Sequence, residues 1–271
     1  MGRIIAFANQ KGGVGKTTTA INLASRLASR GLSILLADLD PQGNVSTGLG
    51  IDKDRLTQTI YDCMVHDHFA DEIIVPGPVE HLDILPSNTN LAGAQVELID
   101  ESFFKDDMKF TRLRRLLIPL KERYDFIIID CPPSLGILTL NALVAADGVI
   151  IPLQCEFYAL EGLRLIQHTV SMVKQNYNHL LEIDGVVMTM YDARTNLSTQ
   201  VVEDVKTFFK THSGHVFNSI IPRNVRLSEA PSFGVPIDRY DQHSSGAHAY
   251  EAFTQELLVH LNWKKENNVS V

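Results

Sequence analysis

Gln10-Lys11-Gly12-Gly13-Val14-Gly15-Lys16-Thr17-Thr18 lies between a short apolar run, Arg3-Ala8, and a segment with Ala20, Leu23, Ala24, Leu27 and Ala28 at helical spacing. Strand, glycine-rich turn and amphipathic helix follow one another without a spacer. Three glycines let the backbone turn tightly with successive N–H groups pointing inward, and the helix start adds its own donors and dipole, so a polyphosphate meets a prepared cradle. Lys16 is expected to reach the β- and γ-phosphates and Thr17 to complete a Mg²⁺ shell. The strict G-x-x-x-x-G-K-[ST] pattern fails at Gln10, which stands where glycine is required. What replaces it is K-G-G-V-G-K-T, a deviant Walker A form with an additional lysine, Lys11, at its head.

The same alternation continues outward. Ser33-Asp38, Leu82-Leu85, Phe126-Asp130, Gly148-Leu153, Gly185-Met190 and Val216-Ile221 read as buried strands, with Thr111-Tyr124 and Leu160-Asn176 as intervening helices and Gly31 as the stop of the first helix. The expected fold is α/β: one doubly wound, mainly parallel sheet flanked by helices, of the P-loop NTPase type, spanning residues 1–271 as a single domain with a short polar tail from about residue 264. Hydrophobic residues at 45% and charged residues at 21% are ordinary globular usage and exclude a disordered or fibrous chain. The net charge of -8 excludes a protein basic all over, so any contact with nucleic acid must be a local patch.

Two carboxylate sites fall where an open parallel sheet binds ligands, at the carboxyl ends of strands. Asp38 and Asp40 close the second strand; Asp130 closes Phe126-Asp130. The apolar run before Asp130 makes it a Walker B candidate, acting on Mg²⁺ through a metal-bound water. Asp40, followed by Pro41-Gln42-Gly43-Asn44, is placed to orient an attacking water. Cys63, Cys131 and Cys155 form no C-x-x-C pair, which favours a reducing cytoplasm and buried thiols. The pairs His66-x-His68 and His212-x-x-His215 lack further zinc ligands, and Arg112, Arg114 and Arg115 read as the solvated face of a helix.

These residues resemble the ParA/Soj group of the ParA/MinD ATPases over nearly the whole chain. The matching stretches are Lys11-Thr18, Asp38-Asn44, Ile127-Pro133, Met190-Leu197 and Ile221-Pro231, of which the last two point to ParA/Soj specifically. The resemblance implies an ATP-driven switch for chromosome or plasmid partitioning. ATP makes a homodimer that binds duplex DNA without sequence preference, on the nucleoid, and a ParB-type partner stimulates slow Mg²⁺-dependent hydrolysis and release. It further implies that Lys11 crosses to the other subunit's phosphates, that Pro222 and Asn224 contact the adenine, and that Arg194, Arg223 and Arg226 meet DNA. Physics makes the crossing lysine intelligible, because two facing triphosphates bring about eight negative charges together and require cations between them.

Three other readings share the scaffold. A MinD-like membrane switch needs a cationic amphipathic C-terminal helix, whereas Phe253, Leu257, Leu258 and Leu261 accompany Glu251 and Glu256; a packed helix is expected and stable membrane association is not. An electron carrier like the nitrogenase iron protein needs a cluster-binding cysteine pattern that Cys131 and Cys155 lack. A small-molecule synthetase, such as dethiobiotin synthetase, needs a substrate pocket the sequence does not advertise.

Overall fold

The computed structural model describes residues 2–100, 108–211 and 214–263; the expected polar tail and His212 lie outside them. The described strands are β1 (Arg3–Phe7), β2 (Ile34–Asp38), β3 (Val75–Pro76), β4 (Leu82–Leu85), β5 (Phe126–Asp130), β6 (Gly148–Gln154) and β7 (Glu182–Thr189). They form one sheet in the order β3-β4-β2-β5-β1-β6-β7. All pairings are parallel except that of β3 with β4. The helices are α1 (Lys16–Ala28), α2 (Asn44–Gly48), α3 (Ile60–His66), α4 (Leu91–Glu97), α5 (Met108–Leu117), α6 (Ile137–Ala145), α7 (Ala159–Asn176), α8 (Asn196–Thr211), α9 (Val225–Glu229), α10 (Ile237–Tyr240) and α11 (Ser245–His260).

Alternation along the strands builds two cores. Ile4, Ala6, Leu35, Ala37, Ile127 and Ile129 face the layer made by α3 to α8. Ile5, Phe7, Ile34, Leu36, Phe126 and Ile128 face α1, α2 and the C-terminal helices. Strands buried on both sides need apolar residues at every position, which is why they read as continuous runs. The apolar face of α11 joins this second core, with Phe253 and Leu257 fully buried. No described helix is long and apolar enough to cross a membrane.

The segment Val216-Ile221 is not a strand. It runs beside β7 with isolated bridges at Val186↔Val216 and Tyr191↔Pro222. Between them the N–H groups of Asn218 and Ser219 donate to the Glu256 carboxylate at 2.7 and 2.8 Å, which takes them out of the ladder. The expected helix Thr111-Tyr124 stops at Leu117, and a 3-10 turn, Pro119–Glu122, completes it; proline cannot continue the i to i−4 pattern. Arg112 is buried rather than solvated, its Nε donating to the Met64 carbonyl at 2.7 Å and its guanidinium pairing with Asp67.

Beside Glu256, His215 stacks on His260 of α11 with ring centroids 4.2 Å apart and packs edge-on against Phe217. Burial and the neighbouring His260 lower the His215 pKa from its ordinary 6.5, against the pull of Glu256. The folded state therefore binds fewer protons than the unfolded chain just below pH 6.5, so stability is retained above that value and lost on acidification through it. A thermal midpoint lower by a few degrees at about pH 5.5 than at about pH 7 is expected, with a smaller drop in His215→Gln. Equal drops in both proteins, read by circular dichroism, would remove this histidine from the account.

Candidate functional site

β5 lies between β2 and β1, so three loops leave the sheet side by side: Phe7 and Asp38 are both in register with Asp130. The glycine-rich loop after β1 is held from both sides. Buried Asn9 donates through Nδ2 to the Pro152 carbonyl of β6 at 2.8 Å and accepts the Lys11 N–H at 3.0 Å. Thr189, at the end of β7, donates to the Val14 carbonyl at 2.8 Å. Gly13 and Gly15 take φ values of 75° and 87°, which only glycine adopts without strain, and space above Gly13 is open. Gly15 caps α1, so the backbone donors of the first turn face the loop.

Lys16 is buried, with Nζ 3.3 Å from the Lys11 carbonyl. Burial lowers its pKa, and Asp130, Cys131 and Asp40 pull it back up. The carboxylates form a buried acid cluster. Burial and the nearby Asp130 push Asp38 well above the usual carboxylate range, although it accepts N–H groups from Asp40 and Val45 at 3.0 and 3.1 Å. Burial drives Asp130 up to about 7 against the Thr17 hydroxyl and the Lys16 ammonium. Neither Asp130 oxygen meets a hydrogen-bond partner at normal geometry among the described residues. Orphaned acidic oxygens beneath a glycine cradle and beside a threonine hydroxyl suit a hard divalent cation that keeps its waters, as Mg²⁺ does.

Asp40 follows β2 rather than ending it and is buried, its Oδ1 accepting the Gln42 N–H at 3.0 Å. Beyond it, α2 packs on a 3-10 turn, Ala230–Phe233, that continues directly from α9. There Gly50 and Gly234 meet backbone to backbone; a Cβ on Gly234 would lie 2.6 Å from the Gly50 Cα. A cleft of about 280 Å³ opens beside Thr17 and Thr18, walled by Asn44 and Thr47 of α2 and by Leu227 and Pro231. Thr19 and Asn22 tie α1 to the C-terminal segment: Thr19 shares a hydrogen bond with the Tyr250 hydroxyl at 3.1 Å, and Asn22 accepts the Ile237 N–H at 2.8 Å.

The adenine candidates lie after the irregular segment. Pro222 is half-buried, and Asn224 already caps α9 through the Arg226 N–H at 2.7 Å and donates to Ser245 at 2.7 Å. The arginines differ from one another. Arg194 is exposed but grips Asp192 through Nε and Nη2 at 2.9 and 2.7 Å, and these bonds, together with its N–H, hold Asp192 at about 2. Arg226 pairs with Glu229 at 2.9 Å and Asp241 at 3.6 Å. Arg223 is exposed and forms no ion pair with a described residue. Its N–H donates to the Tyr191 carbonyl at 2.9 Å, which brings the loops of Arg194 and Arg223 together.

Sequence reasoning passed over Asn9, Thr189 and Glu156, which pairs with Lys11. Glu156 stands just past a strand's carboxyl end, the same signal that singles out Asp38 and Asp130.

A family model described as an AAA domain, AAA_31, matches residues 2–183. The chromosome partitioning protein ParA of Myxococcus xanthus is 54% identical over 258 residues, covering 95% of this chain and 88% of its own. The sporulation initiation inhibitor protein Soj of Bacillus subtilis is 52% identical over 259 residues, covering 96% and 99%. A solved structure titled cobyrinic acid a,c-diamide synthase from Mycobacterium smegmatis, with bound ATP analogue and magnesium, superposes with a TM-score of 0.82 at 37% identity and covers 98% of each chain. Taken with the phosphate loop and the acid cluster beneath it, these similarities place the chain in the ParA/Soj family of ParA/MinD-type P-loop ATPases.

Proposed function

We propose that this chain is a Mg²⁺-dependent ATPase switch for chromosome or plasmid partitioning, formed as one ATPase domain, whose ATP-bound homodimer holds DNA. The observation that carries the reading is Lys11, an exposed second lysine at the head of a cradle that already contains Lys16. One lysine serves the triphosphate of its own subunit, and the other, held by a half-exposed ion pair with Glu156, can turn to a facing one. Phe157 and Tyr158, 77% and 69% exposed on the same edge of the sheet, supply apolar surface that a second subunit would cover.

In this reading Gly12, Gly13, Val14 and Gly15 present N–H groups to the phosphates, Lys16 binds the terminal phosphates, and Thr18 continues the cradle along α1. Thr17 and Asp130 are the residues that would hold Mg²⁺, which would supply charge neutralisation to the phosphates. Asp40 orients the attacking water, and Lys11 offsets the partner's developing charge as an arginine finger does elsewhere. Pro222 and Asn224 border the base. A ParB-type partner stimulates turnover, and the dimer resides on the nucleoid.

For DNA, Arg223 is the arginine with least internal competition, and Arg194 and Arg226 must share their charge with carboxylates. A patch of guanidinium groups without a recognition helix suits phosphate contact and no base readout. Gel retardation of duplex DNA with ATP, ADP or no nucleotide, across a salt series, tests the switch. Retardation is expected with ATP alone. Arg223→Ala removes one phosphate contact per subunit, so the slope of log affinity against log salt should flatten by about 2 for a dimer. Equal retardation in every nucleotide state would refute the switch, and none in any state would favour a small-molecule synthase, as the Mycobacterium smegmatis structure is named.

A further inference from the structure

The Lys11 ammonium has a partner within its own chain, the Glu156 carboxylate, across 145 residues of sequence. The contact is built by the backbone on both sides. Asn9, 2% exposed, stitches the loop after β1 to β6 through its bonds to Lys11 and Pro152. Glu156 follows β6 in a tight turn, its N–H donating to the Gln154 carbonyl at 2.8 Å and its carbonyl accepting the Ala159 N–H at 3.0 Å. Both side chains remain about half exposed, at 50% and 43%, so neither is locked in place.

We propose that Glu156 is an intrachain latch on Lys11. It competes with a second subunit's triphosphate for the same ammonium, and so sets the protein concentration at which the ATP dimer forms. The inference rests on the reading of Lys11 as a lysine that acts across the dimer. A lysine used in trans must leave its partner in cis, and the free energy of that pair is subtracted from association. An exposed Lys–Glu pair biases an equilibrium by about 1.4- to 5-fold. Each dimer opens two latches, so the factor is squared, to about 2- to 30-fold. This is large enough to measure and small enough for ATP to overcome.

Glu156→Gln keeps the shape and removes the charge at a half-exposed position, so an unchanged melting temperature is expected. The test is sedimentation velocity of the full chain with a non-hydrolysable ATP analogue and Mg²⁺ over a protein dilution series. Wild type, Glu156→Gln, Lys11→Ala and the double variant are compared. Glu156→Gln should dimerise about 2- to 30-fold more tightly than wild type, with the gap closing as salt screens the pair. In the Lys11→Ala background the same change should have no effect, because the latch has nothing to hold. Weaker or unchanged dimerisation of Glu156→Gln overturns the latch, as does an equal gain with and without Lys11. If Lys11→Ala dimerises like wild type, the trans-lysine reading itself fails, which is a separate result.

Discussion

Asp40→Ala is expected to lower ATP turnover by at least about 100-fold while leaving nucleotide binding and ATP-dependent DNA retention in place, the range spanned by removal of a group that handles a reacting proton. The side chain stands where the loop after β2 passes the phosphate cradle, and its Oδ1 is fixed by the Gln42 N–H. It makes none of the contacts that shape the cradle, which come from Asn9, Thr189 and the glycines. Its charge also raises the pKa of both Asp38 and Asp130, so removing it relieves repulsion inside the acid cluster. The lost Gln42 contact and the lost attraction to Lys16 work the other way, so a folded protein of near wild-type stability is expected, and its ATP complex should accumulate as a long-lived DNA-bound species. A steady-state phosphate-release assay beside gel retardation reads both. Turnover within a few-fold of wild type would transfer the water-positioning role to another residue.

Lys16→Ala should act earlier, weakening ATP itself by about 10- to 100-fold, the loss expected for one charge-assisted hydrogen bond of about 1.5–3 kcal/mol. Lys16 is 6% exposed and is the cation that the buried carboxylates face. Without it Asp130 loses a charge that favours its ionised form, so the variant should also take up a proton near neutral pH more readily than wild type. Binding of a fluorescent ATP analogue by the monomer, measured beside Asp40→Ala, separates the two roles: one variant binds and stalls, the other fails to bind. Undiminished affinity in Lys16→Ala would displace the triphosphate from this loop.

The cradle and its two flanking carboxylates were legible from sequence because local rules dictate them. Glycine spacing, a strand before and a helix after are all contained within residues 3–28, and Asp38 and Asp130 follow uninterrupted apolar runs. What escaped depends on contacts between distant segments. Val216-Ile221 has the composition of a strand, yet Glu256 on α11 claims two of its N–H groups. β3 is two residues long and contains Pro76, so it carries no periodic signal. Arg112 looks like its exposed neighbour Arg115 until the Met64 carbonyl and Asp67 are placed beside it. Nothing local in the sequence ranks Arg194, Arg223 and Arg226, because the carboxylates that engage Arg194 and Arg226 sort them only in three dimensions.

The glycine pair Gly50 and Gly234 has a mechanical corollary. With no side chain between them, main chain bears on main chain, and the segment holding Arg226 has no cushion against the helix that follows Asp40. Such a joint works as a pushrod rather than a tether. A Cβ on Gly234 would press on the Gly50 main chain, so one added methyl there must push α2 and the 230–234 turn apart.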